Sequence, residues 1–282
     1  MSSLQGKTLF ISGGSRGIGL AIAQRAAADG ANVVIAAKTD RPHPRLPGTI
    51  HTAAEEIEAA GGRALPLICD IREEAQVAQA VEAAVDTFGG IDVCVNNASA
   101  INLDGTEKLS MKRYDLMHQV NGRGTFLVSK LCIPHLKRAE NPHVLNISPP
   151  LDFSAKWFKA HAAYSLAKYS MSIYAFAMAE EFRKDGIAFN CLWPRTTIAT
   201  AAVQNLLGGD QLVARSRKPD IMGDAAHAIL IRPAREFTGQ FCIDDLVLHA
   251  AGVRDFDQYA VNPGSELAPD FFVPDDTPPL PI

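Results

Sequence analysis

The sequence predicts one α/β domain with a doubly wound parallel sheet of about seven strands and helices on both faces. Three observations predict this class. Short apolar runs alternate with longer stretches of helical periodicity, each run is hydrophobic throughout rather than at every second position, and a glycine-rich turn follows the first run. A continuously apolar strand is buried on both faces, as in parallel sheets that helices cover on both sides.

The chain opens with a β-α-β unit of about the expected length. A strand is predicted over 7–11, a helix over 17–29 that stops at Gly30, and a second strand over 32–37. Three prolines make residues 40–48 a loop. The later apolar runs and helical periods predict helices over 49–60, 73–88, 111–136 and 161–184, and strands over 64–69, 91–95, 143–147, 187–193 and 240–243.

A single Rossmann-type domain is expected over residues 1–260, because no linker and no internal repeat interrupts the pattern. The segment of about 195–220 is expected to form the substrate lid. Residues 261–282 are rich in proline and acidic side chains and are expected to lack regular structure. Phe271 and Phe272 are expected to anchor this tail to the domain or to a neighbouring subunit.

Charge and hydropathy exclude several kinds of partner. Lysine and arginine number 27 against 31 acidic residues, and the net charge of −4 provides no attraction for nucleic acid or an acidic membrane. The N-terminus is polar and lacks the apolar core of a signal peptide. No apolar run reaches the roughly 18 residues of a membrane span.

The cysteines and histidines predict neither disulfides nor a metal site. The five cysteines are scattered, mostly within apolar runs, and the eight histidines form no ligand-spaced cluster. Buried free thiols are typical of a reducing compartment, so a cytoplasmic protein is expected.

The glycine-rich turn runs from Ser12 to Gly19 and predicts a phosphate-binding loop. Gly13 lets the chain turn sharply, Gly17 lets the backbone approach a pyrophosphate at the helix N-terminus, and Gly19 permits close helix–strand packing. The spacing G-x-x-x-G-x-G is not the usual one, but the flanking strand and helix are those the motif requires. The alternative is a turn without a ligand. The expected cofactor contacts here are Ser12, Gly13, Ser15, Arg16, Gly17, Ile18 and Gly19.

The end of the second predicted strand favours NADP over NAD. NAD-binding sites place a carboxylate there for the ribose hydroxyls, whereas this strand ends in Ala-Ala-Lys38 and Asp40 lies past it. Arg16 of the glycine loop is on the same side. Two cations without a carboxylate suit the 2′-phosphate of NADP. The alternative for Lys38 is an exposed lysine at the end of a strand.

Tyr164 and Lys168 lie four residues apart in a predicted helix, and therefore on one face of it. A phenol titrates near pH ~10, and a neighbouring cation favours the phenolate. The pair predicts proton transfer at a hydroxyl or carbonyl oxygen. Taken alone, the spacing equally fits an ordinary surface pair.

These motifs together resemble the short-chain dehydrogenase/reductase family over almost the whole chain. The glycine loop is followed in order by Asp70, Asn96-Asn97-Ala98, Asn121 and Tyr164-x-x-x-Lys168. Shorter stretches, among them Asn-Ile-Ser-Pro-Pro and Pro-Asp-Phe-Phe-Val-Pro, resemble one subgroup whose members can carry a C-terminal sterol-carrier domain. This chain ends before one would begin, so lipid transfer is not expected of it.

The resemblance implies a role for each motif. Tyr164 would exchange a proton with the substrate oxygen, and Lys168 would lower its pKa and hold the nicotinamide ribose. Asn121 would help to hold a water chain, and Asp70 would accept a hydrogen bond from the adenine amino group. Each has an ordinary alternative as a cap, a turn former or a mid-helix polar residue. The further cofactor contacts implied are Ile71, Asn97 and Ala98.

Two positions depart from the family pattern. A serine pair is common after the fifth strand, where this chain has Ser148-Pro149, and proline has neither a hydroxyl nor an N–H. Ser148 is the candidate to hold the substrate oxygen, and the alternative is a hydroxyl bonded to nearby backbone. Arg195 stands where glycine is common. It suits a clamp on an anionic or thioester substrate, or an ion pair with an acid of the following loop.

The remaining contacts are predicted around the sixth strand. Pro194, Thr196 and Ile198 are expected to touch the cofactor. Apolar residues near the strand ends favour a lipophilic carbonyl or acyl substrate, although core packing explains the aromatic residues equally well. The expected substrate contacts are Leu151, Trp157, Trp193 and Arg195.

The expected function is hydride transfer between NADP(H) and a carbonyl or secondary alcohol. A nucleotide-binding redox sensor or scaffold with little turnover is one alternative, and reduction of an enoyl thioester is another. The resemblance also implies a homodimer or homotetramer, with the long helices 111–136 and 161–184 as the contact faces.

Overall fold

The structure, a computed structural model, describes residues 3–44 and 46–279. The strands are β1 (Thr8–Ser12), β2 (Asn32–Ala37), β3 (Arg63–Ile68), β4 (Val93–Asn96), β5 (His143–Ile147), β6 (Ala188–Trp193) and β7 (Phe241–Ile243). The helices are α1 (Gly17–Ala27), α2 (Ile50–Ala59), α3 (Glu74–Phe88), α4 (Met111–Met117), α5 (Thr125–Leu136), α6 (Ala162–Glu181), α7 (Gly209–Val213), α8 (Asp220–Leu230) and α9 (Asp244–Ala250).

All seven strands are parallel and lie in the order β3-β2-β1-β4-β5-β6-β7, which confirms the predicted doubly wound sheet. The chain first moves outward from β1 to β3 and then returns to place β4 on the other side of β1. This reversal makes the ends of β1 and β4 the switch point of the sheet, where open α/β folds bind their ligands.

The continuous apolar runs arise because both faces of the sheet are covered. Leu9 and Ile11 of β1 face the core formed with α1 and α8, whereas Phe10 between them faces the core formed with α3 and α5. All five residues of β1 are buried. Successive side chains of a strand point to opposite faces, so a strand buried on both faces has no solvent-facing position.

The helix predicted over 111–136 has the right extent but is not regular. His118–Gly124 form a π turn between α4 and α5. Fully buried Asn121 accepts from the Ala100 N–H at 2.8 Å and donates to its carbonyl at 2.9 Å. Gly124 is required by close packing, because a Cβ there would lie 2.5 Å from Ile71 Cδ1. Such turns often mark functional sites, and the 3.6-residue period does not reveal them.

Sequence periodicity does not predict α8 and α9. α8 packs against α1, with Ile221 and Ile229 buried in the first core. The expected lid contains α7 and a π turn over Val203–Leu207. The tail beyond residue 260 contains no helix or strand as far as residue 279, in agreement with the prediction.

Two expectations concern membranes and metals. Within residues 3–44 and 46–279, no helix has the length and apolar character needed to cross a membrane. In the same ranges, no group of three or more His, Cys, Asp or Glu side chains is arranged to hold a metal ion. All five cysteines are free and buried.

Asp29, which lies just after the end of α1, joins the N-terminal segment, α1 and α8 by hydrogen bonds. Its carboxylate accepts hydrogen bonds from the Leu4 N–H at 2.8 Å, Arg25 Nη1 at 3.0 Å and His227 Nε2 at 2.8 Å. Burial acts to raise the pKa of Asp29, but these bonds outweigh it and hold the pKa at about 2, below the ordinary 3.8. A carboxyl with a depressed folded-state pKa stabilises the fold above its unfolded pKa and loses that contribution as the pH falls.

We expect Asp29→Asn to lower the free energy of unfolding at about pH 7 by about 1–2 kcal/mol, because it removes a charged acceptor of three hydrogen bonds. The difference from wild type should shrink as the pH falls from about 4 to about 2, where the wild-type carboxyl becomes protonated. Urea unfolding across this range measures it. Asp86→Asn, exposed on α3, is the control, and a pH-independent difference would contradict the assignment.

Candidate active site

The loops after β1 and β4 are joined by hydrogen bonds at the switch point. Ser12 Oγ accepts from the N–H groups of Asn97 at 3.1 Å and Ala98 at 3.2 Å, and donates to the Val95 carbonyl at 3.3 Å. Asn97 Nδ2 donates to the carbonyls of Ser12 at 3.2 Å and Gly13 at 2.9 Å. Ser12, Asn97 and Ala98 therefore shape the glycine loop from behind.

Two glycines of the loop are required by its geometry. Gly13 has φ of +69°, and a Cβ there would lie 2.9 Å from Ala98 Cα. A Cβ on Gly19 would lie 2.5 Å from Asn97 Nδ2 and 2.6 Å from the Gly13 carbonyl oxygen. Buried Ser15, half-buried Ile18 and Gly17 complete the turn into α1.

The N-terminus of α1 faces the site without a cap. No side chain bonds its first N–H groups, and no acidic residue lies in its first turn. Unpaired N–H groups and the helix dipole favour an anion at such a terminus. The loop and α1 can therefore hold a pyrophosphate, as the sequence predicts.

Arg16 and Lys38, the cations predicted to bind a 2′-phosphate, lie just before α1 and just after β2. Arg16 donates from Nε to the Pro47 carbonyl at 2.8 Å and from Nη2 to the Gly48 carbonyl at 2.9 Å, so it also holds the proline-rich loop. Lys38 is 58% exposed, and its Nζ lies 3.5 Å from Asp70 Oδ2. Its ammonium group is therefore partly solvated and reaches toward the adenine side of the site.

Asp70 is an ionised, well-bonded carboxylate beyond β3. Arg72 Nε lies 2.9 and 3.1 Å from its two oxygens, and Arg72 Nη2 lies 2.5 Å from Oδ2. These bonds lower the pKa of Asp70 to about 2, and the charge of Lys38 contributes in the same direction. The neighbouring Ile71 is buried and packs on Gly124. Asp70 keeps its position at the site, although the sequence gives no sign of its bond to Arg72.

Tyr164 and Lys168 lie on one face of α6, and both are nearly fully buried. Lys168 Nζ donates to the Ile147 carbonyl at 2.8 Å and lies 5.0 Å from the centre of the Trp193 ring. Burial lowers the pKa of Lys168 to about 8, while the charges of Asp270 and Cys191 act in the opposite direction. The pKa of Lys168 therefore lies close to neutral pH, where the group can gain or lose a proton.

The pKa of Tyr164 is shifted by its surroundings. Burial raises it above the ordinary value, and the nearby charge of Asp270 raises it further. Desolvation of the phenolate dominates, and the lowering of this pKa by Lys168 that the resemblance implies stays a prediction. The phenol is consequently held in its neutral, proton-donating form.

Ser148 is fully buried at the end of β5, and its hydroxyl donates to Cys191 Sγ at 3.3 Å. The bond partner is thus a thiol on β6, rather than the backbone group considered from the sequence. Asn121, which the resemblance places in a water chain, uses its side-chain amide on Ala100. The roles of Ser148 and Asn121 in proton transfer stay predictions.

Arg195 is engaged by acids from the start of α9. Its Nε lies 2.6 Å from Asp245 Oδ2, its N–H donates to Asp244 Oδ1 at 2.9 Å, and its Nη2 donates to the Pro278 carbonyl at 2.9 Å. An ion pair is therefore correct, but the partner lies 50 residues further along the chain rather than in the following loop. Asp245 also pairs with Arg217 at 3.1 Å.

The other residues after β6 are buried. Pro194 is enclosed, and Ile198 is 2% exposed and bridges to Arg217. Thr196 Oγ1 is buried, and no hydrogen bond is made to it within the described chain. A buried hydroxyl without a partner normally requires one, so Thr196 fits a ligand amide at the place predicted for the carboxamide.

A separate aromatic cluster lies on the substrate side of Tyr164. It contains Tyr164, Tyr169, Trp193 and Phe272, with Leu151 and Trp157 packed against it. The three apolar substrate residues predicted from the sequence are therefore brought together next to the candidate catalytic tyrosine.

Sequence reasoning missed two residues of the tail as parts of this site. The Phe272 ring centre lies 6.0 Å from that of Tyr164. Burial raises the pKa of half-buried Asp270 to about 7, an effect that the Phe271 N–H and Lys168 oppose. Phe271–Phe272 was predicted as an anchor and does hold the tail to the domain. The two adjacent phenylalanines between prolines were the signal in the sequence for Phe272, and no local pattern indicated a role for Asp270.

Comparison with known proteins identifies the class. Residues 7–209 match the short chain dehydrogenase family, and the chain belongs to this family of oxidoreductases, which bind nicotinamide cofactors.

The relatives are similar over nearly the whole chain. Hydroxysteroid dehydrogenase-like protein 2 of Danio rerio is 61% identical over 270 residues, which cover 96% of this chain and 64% of the relative. The Homo sapiens protein of that name is 57% identical with the same coverage. The crystal structure of a short chain dehydrogenase from Mycobacterium thermoresistibile is 57% identical, has a TM-score of 0.92 and covers 98% of both chains. The subgroup resemblance seen in the sequence is therefore confirmed.

We expect Gly19→Ala to lower the melting temperature by several degrees, because the new Cβ displaces Asn97 from the Gly13 carbonyl. Differential scanning calorimetry measures the shift. Gly90→Ala is the matched control, since a Cβ there meets nothing within 4 Å. Equal melting temperatures for Gly19→Ala and wild type would contradict the close packing described for the loop.

Proposed function

We propose that the protein transfers a hydride between NADP(H) and a lipophilic carbonyl or secondary alcohol, with Tyr164 and Lys168 as its proton-transfer pair. The observation that carries the proposal is their burial on one face of α6, at the same edge of the sheet as the uncapped N-terminus of α1. That edge brings an anion-binding loop and a proton donor to one crevice.

The residues of the site fit a nicotinamide dinucleotide. The glycine loop and α1 would hold the pyrophosphate, and the free hydroxyl of Thr196 would meet the carboxamide. Asp70, Ile71, Asn97 and Ala98 would line the adenosine side and the floor of the cleft. When bound, the nicotinamide donates or accepts the hydride, and its oxidised form adds a positive charge near the phenol.

NADP is favoured over NAD by the charges at the end of β2. Lys38 and Arg16 provide two cations there, and no carboxylate ends the strand. Arg16 is fixed by the carbonyls of the proline-rich loop, so its guanidinium is already oriented. Fixed donors of this kind suit a phosphate, whose charge they partly neutralise.

Proton transfer follows from the burial of the pair. In carbonyl reduction the Tyr164 phenol donates its proton to the substrate oxygen as the hydride arrives at carbon, and the raised pKa keeps that proton available at neutral pH. Lys168, held by the Ile147 carbonyl, orients the ribose and stabilises the phenolate that results. Asn121 and Ser148 are proposed to support the proton relay and the substrate oxygen, respectively.

One alternative function has a specific observation in its favour. The Ser148 hydroxyl is already bonded to Cys191 Sγ, and Pro149 replaces the second serine. A site without a hydroxyl for the substrate oxygen would turn over slowly, which suits a nucleotide-binding redox sensor or scaffold. An enoyl-thioester reductase would keep the same cofactor and change the reduced bond.

The proposed setting is a cytoplasmic homodimer or homotetramer. Buried free thiols suit a reducing compartment. Exposed apolar side chains on α5 and α6, the faces predicted from the resemblance, support a subunit contact. These side chains are Phe126 (43% exposed), Leu166 (50%), Ile173 (41%) and Phe176 (61%).

We expect Lys38→Ala to weaken NADPH binding by about tenfold or more and to leave NADH binding within about twofold, because only NADPH carries the 2′-phosphate. Fluorescence titration of both cofactors measures the two dissociation constants. Lys184→Ala, an exposed lysine at the opposite end of α6 from Tyr164, is the control. Equal losses for both cofactors would argue against a phosphate contact, and tighter NADH binding by wild type would overturn the NADP assignment.

We expect Tyr164→Phe to reduce kcat by at least about 10²-fold while NADPH still binds, because the ring remains and only the transferable proton is lost. Carbonyl and acyl-CoA compounds are screened as substrates, and the rate of NADPH oxidation with an active compound gives kcat. Tyr174→Phe removes a hydroxyl from the same helix as a control. Undiminished activity of Tyr164→Phe would exclude the mechanism, and no turnover by wild type would favour the scaffold.

A further inference from the structure

The tail returns to the site and is bonded there along its length. We call residues 268–273 the strap. The Thr197 N–H donates to the Ala268 carbonyl at 2.9 Å, and the Asp270 N–H donates to the Arg195 carbonyl at 3.0 Å. Trp193 Nε1 donates to the Phe271 carbonyl at 2.6 Å. The strap is therefore built onto the loop that follows β6, the loop expected to contact the nicotinamide.

Bonds beyond the strap hold its far end. Lys156 Nζ lies 2.5 Å from Asp275 Oδ1, and Arg195 Nη2 donates to the Pro278 carbonyl at 2.9 Å. The strap thus spans from the lid side of the site to the segment after β5. The strap contains no helix or strand, and the bonds at both of its ends hold it against the domain.

Phe272 is the residue of the strap whose side chain is fully buried. Its ring centre lies 5.7 Å from Trp157, 6.1 Å from Trp193 and 5.4 Å from Tyr169. It is the non-glycine residue with positive φ among the described residues, at +65°. That conformation is unfavourable for a bulky residue and persists where packing imposes it, often at functional sites.

The packing that imposes it comes from the aromatic cluster around Tyr164. Phe272 lies in the aromatic cluster with Tyr164 and Trp193, and in neither of the two cores that cover the sheet. Tyr164 is only 6% exposed beneath it. Because the two ring centres lie 6.0 Å apart, a substrate at the phenol comes close to the Phe272 ring.

We propose that Phe272 is a specificity-determining residue, whose ring forms the wall of the substrate chamber beside Tyr164 and limits the bulk that a ketone carries next to its carbonyl. The substrate class is a neutral, lipophilic ketone or the corresponding alcohol, which rests on the proposed function. Arg195, the cation that would clamp an anionic substrate, is already paired with Asp245, so the site favours a neutral group next to the carbonyl.

Binding of two ketones to the full chain tests the proposal without turnover. 2-Phenylcyclohexanone exceeds cyclohexanone by one phenyl ring on the carbon next to the carbonyl, and a phenyl ring is the group that Phe272→Ala removes. The chain has two tryptophans, Trp157 and Trp193, and both contact Phe272, so their fluorescence reports on the chamber. Each ketone is titrated with and without saturating NADP+, and the ratio of the two dissociation constants is compared between variants.

We expect Phe272→Ala to shift that ratio by about tenfold or more in favour of 2-phenylcyclohexanone, because the ligand ring refills the space. Phe272→Leu should shift it less and in the same direction. Phe88→Ala, at the end of α3 near Arg63, is the control for loss of a packed ring elsewhere and should leave the ratio unchanged. Circular dichroism confirms that each variant is folded.

An unchanged ratio in the folded Phe272 variants overturns the proposal, as does the absence of any fluorescence response to both ketones in all proteins. NADPH oxidation with the same ketones is measured separately. A shifted binding ratio without turnover supports the strap as the wall of the chamber and rejects the proposed activity, so the two failures are distinguishable.

Discussion

The parallel pairing of β1 with both β2 and β4 is the constraint on which the site depends. Because the sheet order reverses there, the loops after β1 and β4 diverge and leave a crevice between them. Ser12 and Asn97 then cross-link the two loops, and Gly13 and Gly19 allow the backbones to approach closely. Ser148 and Pro194, which directly follow β5 and β6, reach the same edge because parallel strands all end there.

Burial governs the charge states of Tyr164 and Lys168 more than any single ion pair does. Desolvation raises the pKa of Tyr164 and lowers that of Lys168, so both groups move away from their charged forms. Asp270 opposes the change at Lys168 and reinforces it at Tyr164. A segment without regular structure therefore both packs against Tyr164 and sets part of the charge environment of the candidate catalytic pair.

The parts of the fold and site that the sequence predicted depend on local chemistry. Both-face burial makes the strands continuously apolar, a strand-to-helix turn near a phosphate requires glycines, and helical spacing places Tyr164 beside Lys168. The parts it did not predict depend on distant partners. The π turn around Asn121 is bonded to Ala100, Arg195 is paired with Asp245, and Ser148 is bonded to Cys191.

The sequence by itself determined the class of fold, the glycine-rich turn and the placement of Tyr164 and Lys168 on one helical face, because periodicity, glycine geometry and helical spacing act over a few residues. Only the tertiary structure decided the charge state that this pair favours and the wall beside it. Desolvation depends on everything packed around a group, and Phe272 reaches Tyr164 across more than 100 positions of the chain. No local pattern in the sequence indicates a contact between residues so far apart in the chain.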